Sequence, residues 1–151
     1  VGPIEQSCSI AATLDVVGDR WTLLVLRDLF RGVYRFSELQ SDLGIARNLL
    51  TDRLGKLVAH GLIEKVPYEQ RPLRYEYRLT RKGADLSPAL ISLMAWGDRW
   101  YADHGAPVEL IHEQCGTPIE PQPRCPTCEV VVPPGQIRSR PGPGAKYPNT
   151  A

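Results

Sequence analysis

The chain lacks the marks of an enzyme. Its three histidines, His60, His104 and His112, have no nucleophile beside them in sequence, and no glycine-rich run is placed to cradle a phosphate. It also lacks any apolar run long enough to span a bilayer and any signal-peptide pattern, so a membrane partner is not expected and a cytoplasmic location is. In that reducing compartment four cysteines read as thiols, sensors or metal ligands sooner than as structural disulfides. Net charge is nearly absent too, at +1 over 151 residues. Taken alone, that is a poor footprint for a binder of nucleic acid.

The distribution of charge says otherwise. Residues 35–82 hold ten basic and six acidic side chains, while the segments before and after are net negative. This is the asymmetry that steering toward phosphates needs. The same stretch reads as two short helices around a glycine turn. The first begins at Phe36-Ser37-Glu38-Leu39-Gln40, where Ser37 and Gln40 have the spacing of a capping box, and stops at Leu43-Gly44. The second runs from about Ala46 to His60, with Leu50, Leu54, Leu57 and Val58 on one stripe and Gly61 as its stop. So short a glycine-containing turn suits a helix-turn-helix.

Opposite the leucine stripe stand Asn48, Asp52, Gly55, Lys56 and Ala59, flanked by Thr51 and Arg53. Asn can bridge adenine N6 and N7, Arg can bridge guanine O6 and N7, and Asp can accept from cytosine N4. The N-terminal residues of such a helix reach base edges, which selects Arg47, Asn48 and Asp52. Thr51, Arg53 and Lys56 are then assigned to phosphates, and Ser37 joins the candidate DNA contacts from the first helix. Residues 62–67 and 75–79 read as strands, the second alternating Tyr75, Tyr77 and Leu79 against Glu76 and Arg78. The loop between them carries Arg71 and Arg74 near a stiffening Pro72, as expected of a wing laid on a phosphate backbone.

Cys8, Gly18-Asp19-Arg20-Trp21-Thr22, Leu26-Arg27-Asp28-Leu29, Arg35-Phe36-Ser37-Glu38-Leu39, Leu50-Thr51-Asp52-Arg53-Leu54, Gly61-Leu62-Ile63, Tyr75-Glu76-Tyr77-Arg78-Leu79-Thr80, Gly83 and Trp96 stand in the order of a known family. Over residues 8–104 the chain resembles the HxlR-type winged helix-turn-helix transcription regulators, relatives of the MarR group. The resemblance implies a homodimeric bacterial regulator whose second helix reads the major groove of a double-stranded operator, and whose hairpin is the wing. It also implies that a small-molecule or electrophile effector can act on it, since some such regulators sense oxidants through a cysteine at the position of Cys8. A winged-helix protein–protein module without DNA reading is the alternative, and the charge on the outer face and wing argues against it.

The expected fold is mainly α (α+β), a winged helix-turn-helix domain with flanking dimerisation helices and a Pro-rich C-terminal tail. Ser9–Val17 and Arg20–Arg31 precede the reading unit, with Asp19 as N-cap of the second and Trp21, Leu24, Val25, Leu29 and Phe30 as its apolar side. Residues 81–104 are helical by period, split at Ser87-Pro88, and carry Leu90, Leu93, Trp96 and Trp100, which either complete the core or meet a twin.

Cys8, at the head of the first helix, reads either as a small buried hydrophobe or as a redox sensor. In the extension, residues 105–132, His112-x2-Cys115 and Cys125-x2-Cys128 have the spacing of a closed zinc site. Structural zinc, a disulfide formed in air and free thiols all fit that spacing. Residues 133–151 have too many prolines and too few apolar residues to pack, and read as a disordered tail in which Arg138, Arg140 and Lys146 keep the chain soluble or touch DNA.

Overall fold

Helix α1 (Ser9–Val17) and helix α2 (Arg20–Phe30) meet at Gly18-Asp19, and Asp19 caps α2 by accepting from the backbone N–H groups of Trp21 and Thr22 at 3.1 and 3.0 Å. The computed structural model describes residues 8–144, which form two units, one up to Ser87 and one from Pro88 onward. The first unit continues through α3 (Phe36–Leu43), α4 (Arg47–Ala59), an antiparallel hairpin of β1 (Ile63–Gln70) and β2 (Leu73–Leu79), and the short α5 (Arg81–Ala84).

One core serves all of these elements. Val25, Leu26 and Leu29 of α2, Leu39 of α3, Ile45 of the turn, Leu50, Leu54 and Leu57 of α4, and Ile63 and Tyr77 of the hairpin are all buried. The leucine stripe of α4 therefore packs as its period requires. Val58 does not join it and stays exposed, as does Phe30 at the end of α2. The expected capping box is also absent. Helix α3 starts at Phe36 with Arg35 in the N-cap position and no side-chain cap, which places Ser37 inside the first turn.

Below the core surface lies a buried carboxylate. Asp28 Oδ1 accepts from Arg27 Nε at 2.8 Å and Arg31 Nη1 at 3.1 Å, and Arg31 reaches on to Asp42 Oδ2 of α3 at 3.2 Å. Burial pushes the Asp28 pKa up, only partly opposed by Arg27, so two helices are tied together around a carboxyl that would otherwise shed its charge.

The hairpin is longer than its alternation suggests, with only Arg71-Pro72 left as the tip. Pro67 faces Tyr75 and Glu69 faces Arg74, so Tyr68 is one extra residue in β1, a bulge. At the root, Tyr77 N–H donates to Tyr34 O at 2.8 Å, and the Arg78 guanidinium lies 3.6 Å above the Tyr34 ring. Gly83 is required where α5 meets the residue that leads into β1: a Cβ there would run into the Leu62 carbonyl.

The second unit opens with α6 (Ser87–Tyr101), whose start at Ser87-Pro88 matches the expected split. None of its residues is buried, and Leu93, Trp96, Trp100 and Tyr101 are exposed, so they do not complete a monomer core. Two small turns follow, each closed by the same three backbone bonds. His112 N–H donates to Thr117 O at 2.8 Å, Gly116 N–H to His112 O at 2.7 Å and Ile119 N–H to Leu110 O at 2.8 Å. In the second turn Cys125 N–H donates to Val130 O at 3.0 Å, Glu129 N–H to Cys125 O at 2.9 Å and Val132 N–H to Pro123 O at 2.9 Å. Within the expected tail, residues 134–136 make one 3-10 turn, and residues 145–151 lie outside the described residues.

Candidate nucleic-acid interface

Three residues, Gly44-Ile45-Ala46, join α3 to α4. Gly44 takes φ +60°, a left-handed backbone that ends α3, and Ile45 is buried beneath the turn, fixing the angle at which α4 departs. Ala46 is extended and offers no side-chain cap to the first amides of α4.

Along the solvent side of α4 the side chains of Asn48, Thr51 and Asp52 are exposed and Lys56 is half-buried, and Arg47 is exposed at the first residue of the helix, nearer the leucine side. Their partners separate them. Arg47 rests 5.4 Å from the Phe36 ring centroid and, like Lys56, forms no ion pair among the described residues. Thr51 commits its hydroxyl to Arg47 O at 2.9 Å, and Asp52 pairs with Arg53. Arg53 turns inward, with Nε 2.9 Å from Asp19 Oδ1, so it braces α4 against the start of α2. Burial alone would raise the Asp19 pKa. Hydrogen bonds from Thr22 and Arg53 outweigh it and hold the carboxyl below its usual range.

On the hairpin, Arg71 stands exposed at the tip with no ion pair among the described residues, while Arg74 Nε lies 3.4 Å from Glu69. Ser37 is exposed on the first turn of α3. Sequence reading missed Arg35 as a connector: its guanidinium lies 4.4 Å over the Tyr68 ring and 4.0 Å from Glu38, joining the wing to α3. That ring belongs to the inserted residue of β1, and no spacing rule signals the contact. Lys65 lies within 6 Å of both Tyr75 and Tyr77, a second cation on the wing.

Cys8 is exposed at the N-terminus of α1, not buried. In the second unit His112 Nδ1 stands 3.2 Å from Cys115 Sγ, and Cys128 N–H points at Cys125 Sγ at 3.5 Å. The Thr117 hydroxyl lowers the Cys115 pKa, and the backbone N–H groups of Cys128 and Thr127 lower that of Cys125. Among the described residues no helix is long and apolar enough to cross a membrane.

Comparison with known proteins bears on the family and the fold. The family model described as HxlR-like helix-turn-helix matches residues 16–105. An uncharacterized HTH-type transcriptional regulator of Mycobacterium tuberculosis, Rv3095, is 44% identical over 139 residues, covering 91% of this chain and 88% of that protein. The crystal structure of PA1607, a proposed transcription factor, superposes with a TM-score of 0.81 at 38% identity, over 90% of this chain and 96% of that one. The redox regulator HypR in its oxidized form gives a TM-score of 0.57 at 32% identity, over 61% of this chain and 96% of that one.

Proposed function

Because the chain belongs to the HxlR-like helix-turn-helix family, and is a transcription regulator of helix-turn-helix type rather than an enzyme, we propose that α4 reads double-stranded DNA in the major groove and the hairpin follows the backbone as a wing. The observation that carries this reading is the pairing of Arg47 and Asn48, exposed on the first turn of α4, with Arg71 exposed at the hairpin tip. Base edges are read by the first group and phosphates are met by the second. Thr51, Asp52 and Lys56 flank the reading residues. Arg53 positions the helix instead of touching DNA, because its guanidinium is already held by Asp19.

The regulator acts as a homodimer. Ile10 and Leu14 of α1 are exposed, and so are Leu93, Trp96 and Trp100 of α6, large apolar side chains of the kind an interface covers. A second copy covering these faces places two reading helices on a two-fold site. The activity is thiol-responsive through Cys8, whose exposed sulfur at the start of α1 is open to oxidants and electrophiles, as suits a chain similar to a redox regulator.

Selection of bound fragments from a random duplex pool at moderate salt tests the reading. Enrichment of one palindromic site supports it, and weakened binding after a disulfide-forming oxidant, absent in Cys8→Ser, supports the thiol response. A pool that stays random through successive rounds would leave the winged helix as a protein-docking module.

A further inference from the structure

The extension of the second unit contains one turn twice, thirteen residues apart, from His112 to Cys125. The three backbone bonds correspond one for one, and so do the bridges Ile111–Pro118 and Arg124–Val131. The residue after the second donor is left-handed in both copies, Gly116 at φ +69° and Glu129 at φ +57°. Glutamate rarely adopts that backbone, so the second copy keeps the shape of the turn against its own residue preference.

What the shape preserves is a pair of metal donors. In the first turn His112 Nδ1 and Cys115 Sγ face each other at 3.2 Å, near the roughly 3.5 Å that one tetrahedral ion spans between a nitrogen and a sulfur ligand. In the second, Cys125 and Cys128 occupy the matching positions. Each turn also places a polar partner on one of its sulfurs: Cys115 Sγ donates to the Thr117 hydroxyl oxygen at 3.2 Å, a bond the hydroxyl can reverse once the thiol has lost its proton, and the Cys128 N–H donates to Cys125 Sγ at 3.5 Å.

We propose that the two turns are the halves of one structural zinc site, with His112, Cys115, Cys125 and Cys128 as its ligands. Zinc is the ion that one imidazole and three thiolates in tetrahedral array favour. Three thiol protons leave as three zinc–sulfur bonds form, with no change of oxidation state. Four protein donors leave no open position, so the site is a staple and not a catalyst. The structure forms each half and holds the halves apart: among the described residues no three His, Cys, Asp or Glu side chains surround one point. Binding therefore has to draw the turns together across residues 116–124, and the ion orders the extension as it binds.

Cobalt(II) titration of the reduced full chain, followed by zinc, tests this. One cobalt per chain is expected, with the visible bands of a tetrahedral ion and a near-ultraviolet thiolate band, both bleached by one equivalent of zinc. Cys115→Ser and Cys125→Ser should each lose stoichiometric binding, while His112→Cys should keep the tetrahedral spectrum with a stronger thiolate band. The proposal is overturned if excess cobalt gives no tetrahedral bands while all four thiols titrate as reduced. It is equally overturned by one ion per two chains, or by two ions per chain, since the turns then do not close on a single ion. Duplex-pool enrichment by Cys125→Ser is read separately, so failure of the metal site and failure of the DNA reading are distinct results.

Discussion

Arg53 Nε donates to Asp19 Oδ1 at 2.9 Å, and that same oxygen caps α2 through the backbone N–H groups of Trp21 and Thr22. One carboxylate thus closes the supporting helix and braces the middle of α4.

Asp19→Ala should cost about 1 kcal/mol for the lost cap, and Arg53→Ala should couple to it in a double-mutant cycle of denaturant midpoints. The Asp19 pKa is held down in the fold, so its stabilisation is present above the ordinary carboxylate range and is lost as pH falls through the lowered value. Asp19→Asn should therefore differ most from the parent near neutrality, with the gap closing as acid is added. If Arg53→Ala instead left stability unchanged and flattened the salt dependence of DNA binding, Arg53 would belong to the phosphates.

Arg47→Ala and Asn48→Ala should each weaken binding to the selected site by about 1–3 kcal/mol with little effect on random duplex. Fluorescence anisotropy on both duplexes measures this. Equal losses on the two would move the residues from base edges to the backbone.

The wing arginines should not be equal. Arg71→Ala is expected to lower the log–log salt slope by about one unit on any sequence, and Arg74→Ala by less, because Glu69 already competes for it. An unaltered slope in the double variant would place the hairpin away from DNA.

Leu93→Glu or Trp100→Glu should halve the sedimenting mass at micromolar concentration and abolish binding to the full palindrome, while helix content stays near that of the parent. A monomer that still protected both half-sites would contradict the dimer.

Local signals carried much of this molecule. Gly44 and Gly61 both lie in the left-handed region where α3 and α4 were expected to end, and Pro88 marks the start of α6 because proline suits a first helical turn. The Ser37–Gln40 spacing misled, since Arg35 takes the N-cap place while its side chain is drawn away to Tyr68 and Glu38. Pairings across distance left no trace in spacing: Arg53 finds Asp19 from 34 residues away, and Arg31 reaches Asp42 of the next helix from 11 residues away. The strands were read short because alternation slips by one at Tyr68, where two residues of β1 face one step of β2.

That inserted tyrosine separates two properties usually carried by the same residues. The cross-strand partners on either side of it, Pro67 with Tyr75 and Glu69 with Arg74, are those a plain hairpin would pair, so deleting Tyr68 would leave the register of the wing as it stands. It would remove the ring on which Arg35 lies. The wing would keep its alignment and lose its mooring to α3, which makes the angle between hairpin and reading helix adjustable at one position without rewriting either element.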